Sequence, residues 1–347
     1  MPVVGARVRK GNIGVYFNGL GAVTPIYTVT IKSRVDGQLM NVRYREGDMV
    51  QKDDLLIEID PRPYQALLTQ AQGQLARDQA LLQNARTDLA RYETLVPQKA
   101  IPEQQLATQR ATVMQYEGIV KTDEGQVEAA QVNLNYCRIT APITGLIGLR
   151  LVDPGNIVQT SDPGLLVITQ MDPISVIFTL AEDQLPVVLQ KMRAKQTLEV
   201  DAYDRDLKKK LGQGTLTTVD NQIDQTTGTV RLRATFPNSD KVLFPNQFVN
   251  AKMLIEEKRG VLLLSAAAIQ RNSNTTFVYL VQPDQTVVVR NIQIGTTEGD
   301  DSEITSGLQA DDVVVMTGAD NLQDGSKVTV QIPGEQPAGK QPAGKKK

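Results

Sequence analysis

Two heptad repeats of apolar residues face each other across a proline-marked turn in this 347-residue chain. Apolar residues that recur every seven positions are typical of helices that share a coiled-coil seam. The first series is Leu68, Leu75, Leu82, Leu89 and Val96, and the second is Leu106, Val113, Val120, Val127 and Leu134. If the chain folds back near position 101, Leu68 lies level with Leu134, and Val96 with Leu106. The spacing therefore predicts an antiparallel helical hairpin over residues 61–138, with arms about 50 Å long at about 1.5 Å per residue.

A second set of seam positions supports the same register but contains two acids. Alanine and tyrosine fill most of these positions, which suits a narrow seam open to water along its edges. The positions are Tyr64, Ala71, Asp78, Ala85 and Tyr92, facing Gln109, Tyr116, Asp123, Ala130 and Cys137. Asp78 would face Asp123. Because a buried unpaired carboxylate is costly, we interpret the two as solvent-exposed acids without a general acid/base role; the alternative is that another surface covers them.

Composition narrows the function classes open to this chain. It contains no histidine, which is the commonest metal ligand and general base, and its one cysteine, Cys137, cannot form an internal disulfide. A formal net charge of −2 gives no electrostatic footprint for nucleic acid. There is also no glycine-rich phosphate loop. These features argue against an enzyme and predict no cofactor, no metal site and no nucleic-acid partner.

The segments on either side of the predicted hairpin resemble each other. Gly37 and Gly47 are ten residues apart in the first segment, and Gly145 and Gly155 are ten apart in the second. Short apolar stretches follow at residues 55–57 and 165–167. We interpret the four glycines as turn residues of a repeated β unit. Two such units, each too small for a core of its own, are expected to pack as a pseudo-twofold β-sandwich.

Several motifs resemble one protein family in that family's order. A glycine turn followed by Glu-Gly-Asp-x-Val, at residues 46–50, resembles the lipoyl/biotinyl half-motif. Two such halves split by a coiled-coil hairpin resemble periplasmic adaptor proteins, also called membrane fusion proteins. Residues 138–145 (RITAPITG) resemble that family's re-entry into the second lipoyl half, and residues 220–230 and 243–250 resemble its barrel domain. Over roughly residues 3–332 the chain is most similar to the MdtA/AcrA branch, which serves resistance-nodulation-division (RND) drug transporters.

This resemblance implies a mostly β, elongated multidomain fold with a long α-helical coiled-coil hairpin. The implied domains are nested, because the chain runs out through them and returns. They are a membrane-proximal β domain (1–15 and 257–332), a β-barrel (16–32 and 173–256), a lipoyl-like domain (33–60 and 139–172), the hairpin (61–138) and a flexible tail (333–347).

The resemblance also implies a function, partners and contact residues. Such adaptors bridge an inner-membrane RND drug/proton antiporter and an outer-membrane channel in a tripartite multidrug efflux pump. They self-associate, here as an expected hexamer, in the periplasm and attached to the inner membrane. In the family the hairpin tip contacts the channel through an arginine, a leucine four residues later and a small hydroxyl residue seven further on. Arg91 and Leu95 match, whereas Pro102 departs at the third position.

Other functions remain open at this point. An adaptor for an ATP-driven exporter would have the same fold. A periplasmic ligand- or metal-binding protein would use clefts between domains, although the lack of histidine and of paired cysteines argues against soft metals. A swinging-arm carrier would need a modifiable lysine at the turn that residues 61–138 replace. The start of the sequence shows no export signal, so we expect the native signal or lipid anchor to lie outside it.

Overall fold

The computed structural model describes residues 1–272, 275–319 and 322–332. The proposed flexible tail, 333–347, lies outside them. The described α-helices are α1 (Arg62–Leu95), α2 (Glu103–Tyr136) and α3 (Leu185–Arg193). The described strands are β1 (Pro2–Arg7), β2 (Arg9–Pro25), β3 (Thr28–Ile31), β4 (Gly37–Val42), β5 (Met49–Val50), β6 (Leu55–Ile59), β7 (Arg138–Thr140), β8 (Gly145–Ile147), β9 (Ile157–Val158), β10 (Leu166–Thr169), β11 (Ile174–Ala181), β12 (Glu199–Tyr203), β13 (Lys210–Asp224), β14 (Thr229–Phe236), β15 (Phe248–Ser265), β16 (Gln270–Arg271), β17 (Thr276–Val281), β18 (Val287–Asn291), β19 (Gln293–Glu298), β20 (Asp301–Ser306), β21 (Val313–Thr317) and β22 (Thr329–Gln331).

The chain divides into two compact units, and the first contains the hairpin. This hairpin unit comprises residues 24–174 and 238–245. Its β part is a pair of four-stranded sheets, with strand orders β3-β10-β8-β5 and β7-β6-β4-β9. Alternating apolar residues of both sheets point inward and form one core, with Leu39, Leu56, Ile147 and Leu166 at most 1% exposed. The expected β-sandwich is therefore present, and it forms the base from which α1 leaves and to which α2 returns.

The two copies of the sequence repeat are related by pseudo-twofold symmetry in the sandwich. Gly47 N–H donates to the Ile147 carbonyl at 3.1 Å, and the equivalent Gly155 N–H donates to the Leu39 carbonyl at 2.8 Å. Both glycines have positive φ, 82° and 95°, a conformation that favours glycine in a turn. β5 of the first copy pairs with β8 of the second, and β9 of the second pairs with β4 of the first. Each sheet therefore contains strands of both copies, so neither copy can form the core alone.

The other two repeat glycines differ from the prediction. Gly37 and Gly145 are the first residues of β4 and β8 rather than turn residues. Close packing explains glycine at both: a Cβ on Gly37 would lie 2.7 Å from Ile59 Cγ2, and one on Gly145 would lie 2.6 Å from the Thr169 carbonyl oxygen.

The second unit, here the barrel unit, comprises residues 1–23 and 175–237 and the described part of 246–347. Strands β12, β13, β14, β11, β2 and β15 pair in that order, and β15 pairs back to β12, which closes a six-stranded barrel. Its interior contains the fully buried Phe178, Phe236 and Met253, together with Val188 of α3. The β-barrel that the resemblance implied is therefore present.

Two long strands connect the barrel to a further β region of the same unit. β2 and β15 are antiparallel from Ala22 opposite Phe248 to Arg9 opposite Leu263, and the far end of β15 pairs with β20 of the β19–β20 hairpin. A separate sheet contains β16, β17, β18, β21, β1 and β22, in which β1 pairs antiparallel with β21 and parallel with β22. The N-terminus thus completes the C-terminal sheet, as the nested organisation requires. The mostly β fold with a long helical hairpin is confirmed.

Candidate interaction surface on the helical hairpin

The hairpin is anchored to the sandwich by tyrosines at its base. Tyr64 Oη donates to the carbonyl oxygen of Asp36 at 2.8 Å. The Arg34 guanidinium lies 5.0 Å from the centre of the Tyr136 ring, a cation–π contact. Both tyrosines also pack against the sandwich core. Beyond this base, α1 and α2 pack mainly on each other, so most of their outward surface is available to a partner.

Five of the ten predicted seam residues form one cluster between the two helices: Leu75, Leu82, Leu89, Val113 and Val120. Leu68, Leu82, Val113 and Val120 are at most 9% exposed. The six half-buried members are Leu75, Leu89, Val96, Leu106, Val127 and Leu134. The antiparallel register is visible in ion pairs that cross the seam at matching levels, from Arg86 to Glu117 at 2.7 Å and from Arg110 to Glu93 at 3.1 Å. These pairs are about half-exposed, and each stabilises the hairpin by no more than about 1 kcal/mol.

The interpretation of Asp78 and Asp123 as exposed acids is wrong. Their exposed fractions are 2% and 4%, because both occupy seam positions flanked by the two helices. Arg77 donates to both Asp78 carboxylate oxygens at 2.9 and 3.0 Å, and Gln74 Nε2 donates to Oδ2 at 2.9 Å. Hydrogen bonds from Arg77 lower the pKa of Asp78. Burial raises the pKa of Asp123, and the adjacent Asp78 carboxyl raises it further.

The two sides of the hairpin differ in what lines them. The ion pairs Arg86–Glu117 and Arg110–Glu93 cross one side. The other side carries an open groove of about 430 Å³ near the base. Amide side chains and small residues line it, with Asp123 among them: Tyr64, Leu67, Gln70, Ala71, Gln74, Asp123, Gln126, Ala130 and Asn133. Leu67, which is 54% exposed, and the groove give this side an unpartnered surface.

Seam packing can be tested with two adjacent leucines on α1. Leu82 is 7% exposed in the seam, whereas Leu81 is 41% exposed beside it. We expect Leu82→Ala to lower the free energy of unfolding of the hairpin by about 2–3 kcal/mol, through lost burial and the cavity left behind. Leu81→Ala, the matched control, should cost less than about 1 kcal/mol. Urea unfolding followed by helical circular dichroism measures both, and equal losses would contradict the seam.

The predicted channel-contact residues lie at or beside the tip. The Arg91 side chain is 63% exposed, and its guanidinium pairs with the Asp88 carboxylate at 3.3 Å. Leu95 is the last residue of α1 and is half-buried. The connection runs from Val96 to the exposed Pro102, whose extended backbone (ψ 144°) precedes the first turn of α2. The structure thus places Arg91 and Leu95 on the last turns of α1, and Pro102 beside them in sequence at the start of α2.

Pro102 can make fewer polar contacts with a partner protein than the small hydroxyl residue expected at its position. Proline has no backbone N–H, and its ring carries no polar atom. It can supply only apolar contact and its carbonyl oxygen, and that oxygen already accepts from the Gln105 N–H at 3.0 Å. Of the three predicted contact residues, Arg91 is therefore the one with a polar side chain, and it can donate up to five hydrogen bonds.

Among the described residues, no cluster of three or more His, Cys, Asp or Glu could hold a metal ion. Within the same residues, no helix combines the length and apolarity needed to cross a bilayer.

Sequence reasoning missed the burial of the acid pair and the open side of the hairpin. The heptad register already placed Asp78 and Asp123 opposite each other in the seam. The next seam position is a small apolar residue, Ala85, which is buried in the structure, so burial of the two acids could have been inferred. Leu67, Leu81 and Leu95 form a further series at multiples of seven, directly before the first seam series. That series was the available signal for an apolar stripe on one side of α1.

Matches to domain families cover most of the chain. Residues 27–170 match "RND MFP, barrel-sandwich hybrid domain", and residues 173–257 match "RND MFPs, beta-barrel domain". Residues 261–330 match "YknX, C-terminal permuted SH3-like domain". The multidrug resistance protein MdtA of Pectobacterium carotovorum subsp. carotovorum (strain PC1) is 47% identical over 95% of this chain and 80% of its own length. The chain belongs to the MdtA family of RND membrane fusion proteins. MdtA of Salmonella paratyphi C (strain RKS4594) is 44% identical over 96% of this chain and 81% of its own length.

Solved structures agree with this family assignment. A MacA–MexA chimeric protein that contains the Pseudomonas aeruginosa MexA α-hairpin domain is 26% identical, with a TM-score of 0.56, over 89% of this chain and 99% of the chimera. MacA from Actinobacillus actinomycetemcomitans shares the fold, with 22% identity and a TM-score of 0.53 over 90% of this chain and 99% of MacA. The chain is thus an RND-type efflux adaptor of the MdtA kind, a family that is in general non-enzymatic.

Proposed function

We propose that this adaptor bridges an inner-membrane RND drug/proton antiporter and an outer-membrane channel, in the periplasm and attached to the inner membrane. The observation that carries the proposal is the hairpin, whose two 34-residue helices pack mainly on each other and are anchored only at the base. A rod of this kind carries a contact surface away from the sandwich that holds it. The identity to multidrug resistance proteins named MdtA supports drug export as the process served.

The tip of the hairpin is the proposed contact with the channel. Arg91 is held only by an exposed ion pair with Asp88, which a carboxylate on a partner can replace at little cost. Its guanidinium can then donate a charge-assisted, bidentate pair of hydrogen bonds. Leu95 offers a half-buried apolar side chain that a groove between two helices of the partner can bury completely.

Self-association in a closed ring, proposed as a hexamer, would make the conduit continuous. Identical chains around a channel must use two different faces that fit each other, because head-to-tail contacts close into rings. The hairpin has two chemically different sides, one crossed by ion pairs and one with the amide-lined groove. This asymmetry supports head-to-tail packing.

The energy source distinguishes an RND partner from an ATP-driven exporter. The experiment uses cells that lack ATP synthase, in which a protonophore abolishes the proton gradient while glycolysis maintains ATP. Cells from which the gene for this chain has been deleted are compared with the same cells after the gene is restored. In both, efflux of a fluorescent drug is recorded before and after the protonophore is added. We expect efflux to require this chain and to stop with the proton gradient at constant ATP. Efflux that continues on ATP alone would contradict the RND assignment and favour the ATP-driven alternative.

A further inference from the structure

The middle of the hairpin seam contains one positive group for two buried acids. Arg77 on α1 bonds Asp78, and the exposed Lys121 and Glu124 flank Asp123 along α2. Among the described residues, α1 and α2 pack mainly on each other, so the pair lies between these two helices. With both acids ionised, Arg77, Asp78 and Asp123 carry one uncompensated negative charge, although Asp78 and Asp123 are only 2% and 4% exposed.

The hydrogen bonds show which acid lacks compensation. Asp78 receives three donated hydrogen bonds, from Arg77 and Gln74, and is satisfied as a carboxylate. The Oδ2 atom of Asp123 is buried, and no described residue donates to it. A buried polar atom without a partner is unfavourable, and more so if it is charged. A proton on Asp123 removes its charge and creates an O–H group that can donate a hydrogen bond to the Asp78 carboxylate.

We propose that one proton held between the Asp78 and Asp123 carboxyl groups closes the middle of the hairpin seam, and that its release at higher pH loosens the two helices there. The device belongs to the hairpin itself and does not depend on which channel or transporter the adaptor serves. It makes the separation of α1 and α2 sensitive to the acidity of the surrounding solution.

Access and local stability both suit such a device. The groove lined by Asp123, Gln74 and Gln126 opens to solvent, so the proton can exchange without unfolding of the hairpin. Gly73 on α1, and Gly118 and Gly125 on α2, flank the pair in sequence, and a Cβ on any of them would meet nothing within 4 Å. Glycine has a lower helix propensity than alanine. These three positions therefore weaken the helices near the level where the charge changes.

The direction of the pH dependence follows from the two pKa shifts. The raised pKa of Asp123 means that the folded hairpin keeps a proton which the unfolded chain releases. Its contribution to stability therefore falls as the pH rises above the ordinary aspartate range and levels off above the raised pKa. The lowered pKa of Asp78 acts oppositely, and its contribution is lost as the pH falls through that value. The seam is strongest in the window between the two.

The first test is a carboxyl titration of the unmodified full chain with ¹³Cγ-labelled aspartate. One resonance, identified by its absence in Asp123→Asn, should titrate above the ordinary aspartate range of about pH 3.9. The resonance absent in Asp78→Asn should titrate below that range. If the Asp123 resonance titrates at or below that range, no proton is held and the proposal is overturned, whatever the variants do to folding.

The second test measures the helix separation. Spin labels at Ala80→Cys and Thr122→Cys, both exposed and nearly level across the hairpin, report the distance between helices in a Cys137→Ala background. We expect a narrow distance distribution below the pH at which Asp123 titrates in the first test, and a broader, longer one above that pH. Asp123→Asn, whose amide can donate to Asp78 at any pH, should stay narrow at both. The neighbouring Glu124→Gln is the matched control and should respond like the parent chain. An unchanged distribution in the parent chain, or a retained response in Asp123→Asn, would overturn the proposal.

Discussion

Aspartate in place of Arg91 or Leu95 is expected to abolish drug efflux while leaving the adaptor folded. Arg91→Asp puts an acid beside Asp88 and reverses the charge that the proposed partner carboxylate would meet. Leu95→Asp places a charge where an apolar groove is expected, and desolvation of an unpaired carboxylate is costly. The Arg91–Asp88 pair is exposed and stabilises by at most about 1 kcal/mol, so its loss cannot unfold the hairpin. The inhibitory drug concentration should fall to that of the deletion strain.

A matched control separates a tip contact from general damage to the helix. Gln83 is exposed on the same helix, away from the tip, and Gln83→Asp introduces the same acid there. This variant should complement the deletion fully. Immunoblots establish equal abundance, and circular dichroism establishes equal helix content. Full resistance in a strain that carries both tip substitutions at native abundance would contradict the tip assignment.

The largest loss of stability is expected from Phe178→Ala in the barrel. Phe178 on β11 is 1% exposed, and the backbone of β2 lies directly against it. A Cβ on Gly19 would lie 3.0 Å from Phe178 Cδ2, which shows how little space the ring leaves. Removal of a fully buried phenylalanine side chain costs about 3–5 kcal/mol. Chemical denaturation followed by a barrel-specific signal measures this loss.

Phe248→Ala is the matched control for the barrel. Phe248 begins β15 in the same barrel, but its side chain is 79% exposed. Its removal should change the free energy of unfolding by less than about 0.5 kcal/mol, as is usual for surface positions. A loss at Phe248 as large as that at Phe178 would contradict the inside–outside assignment of these strands.

The hairpin could be predicted from the sequence because its information is periodic and local. Leu68 and Leu134 mark the base and Val96 and Leu106 the tip, so the seam series fixed both the register and the turn. The pseudo-twofold was also readable, since Gly47 and Gly155 carry the same turn in each copy. Gly37 and Gly145 could not be assigned in this way. Glycine is required at these two positions because a neighbouring strand packs closely against each of them. The spacing of residues along the sequence does not show that contact.

The acid pair shows where the desolvation cost of a single carboxylate fails to predict its burial. Burial of an unpaired carboxylate is unfavourable, and that rule predicted exposed acids at Asp78 and Asp123. The helices bury both because seam packing at Leu75, Leu82 and Val120 fixes their positions regardless of the acids. Arg77 and Gln74 then satisfy one of them from positions on α1 that spacing alone did not connect to it. Satisfied partners are thus visible only once the helices are placed.

Photo-cross-linking at the hairpin tip tests the central claim most directly. A photoactivatable amino acid replaces Leu95 in the full chain in intact, efflux-competent cells, and Gln83 carries the same probe in a matched strain. If the far end of the rod docks on an exit duct, position 95 should capture an outer-membrane channel protein, identified by mass spectrometry, and position 83 should not. Equal capture at both positions, or none at position 95 in cells that export drug normally, would contradict the claim.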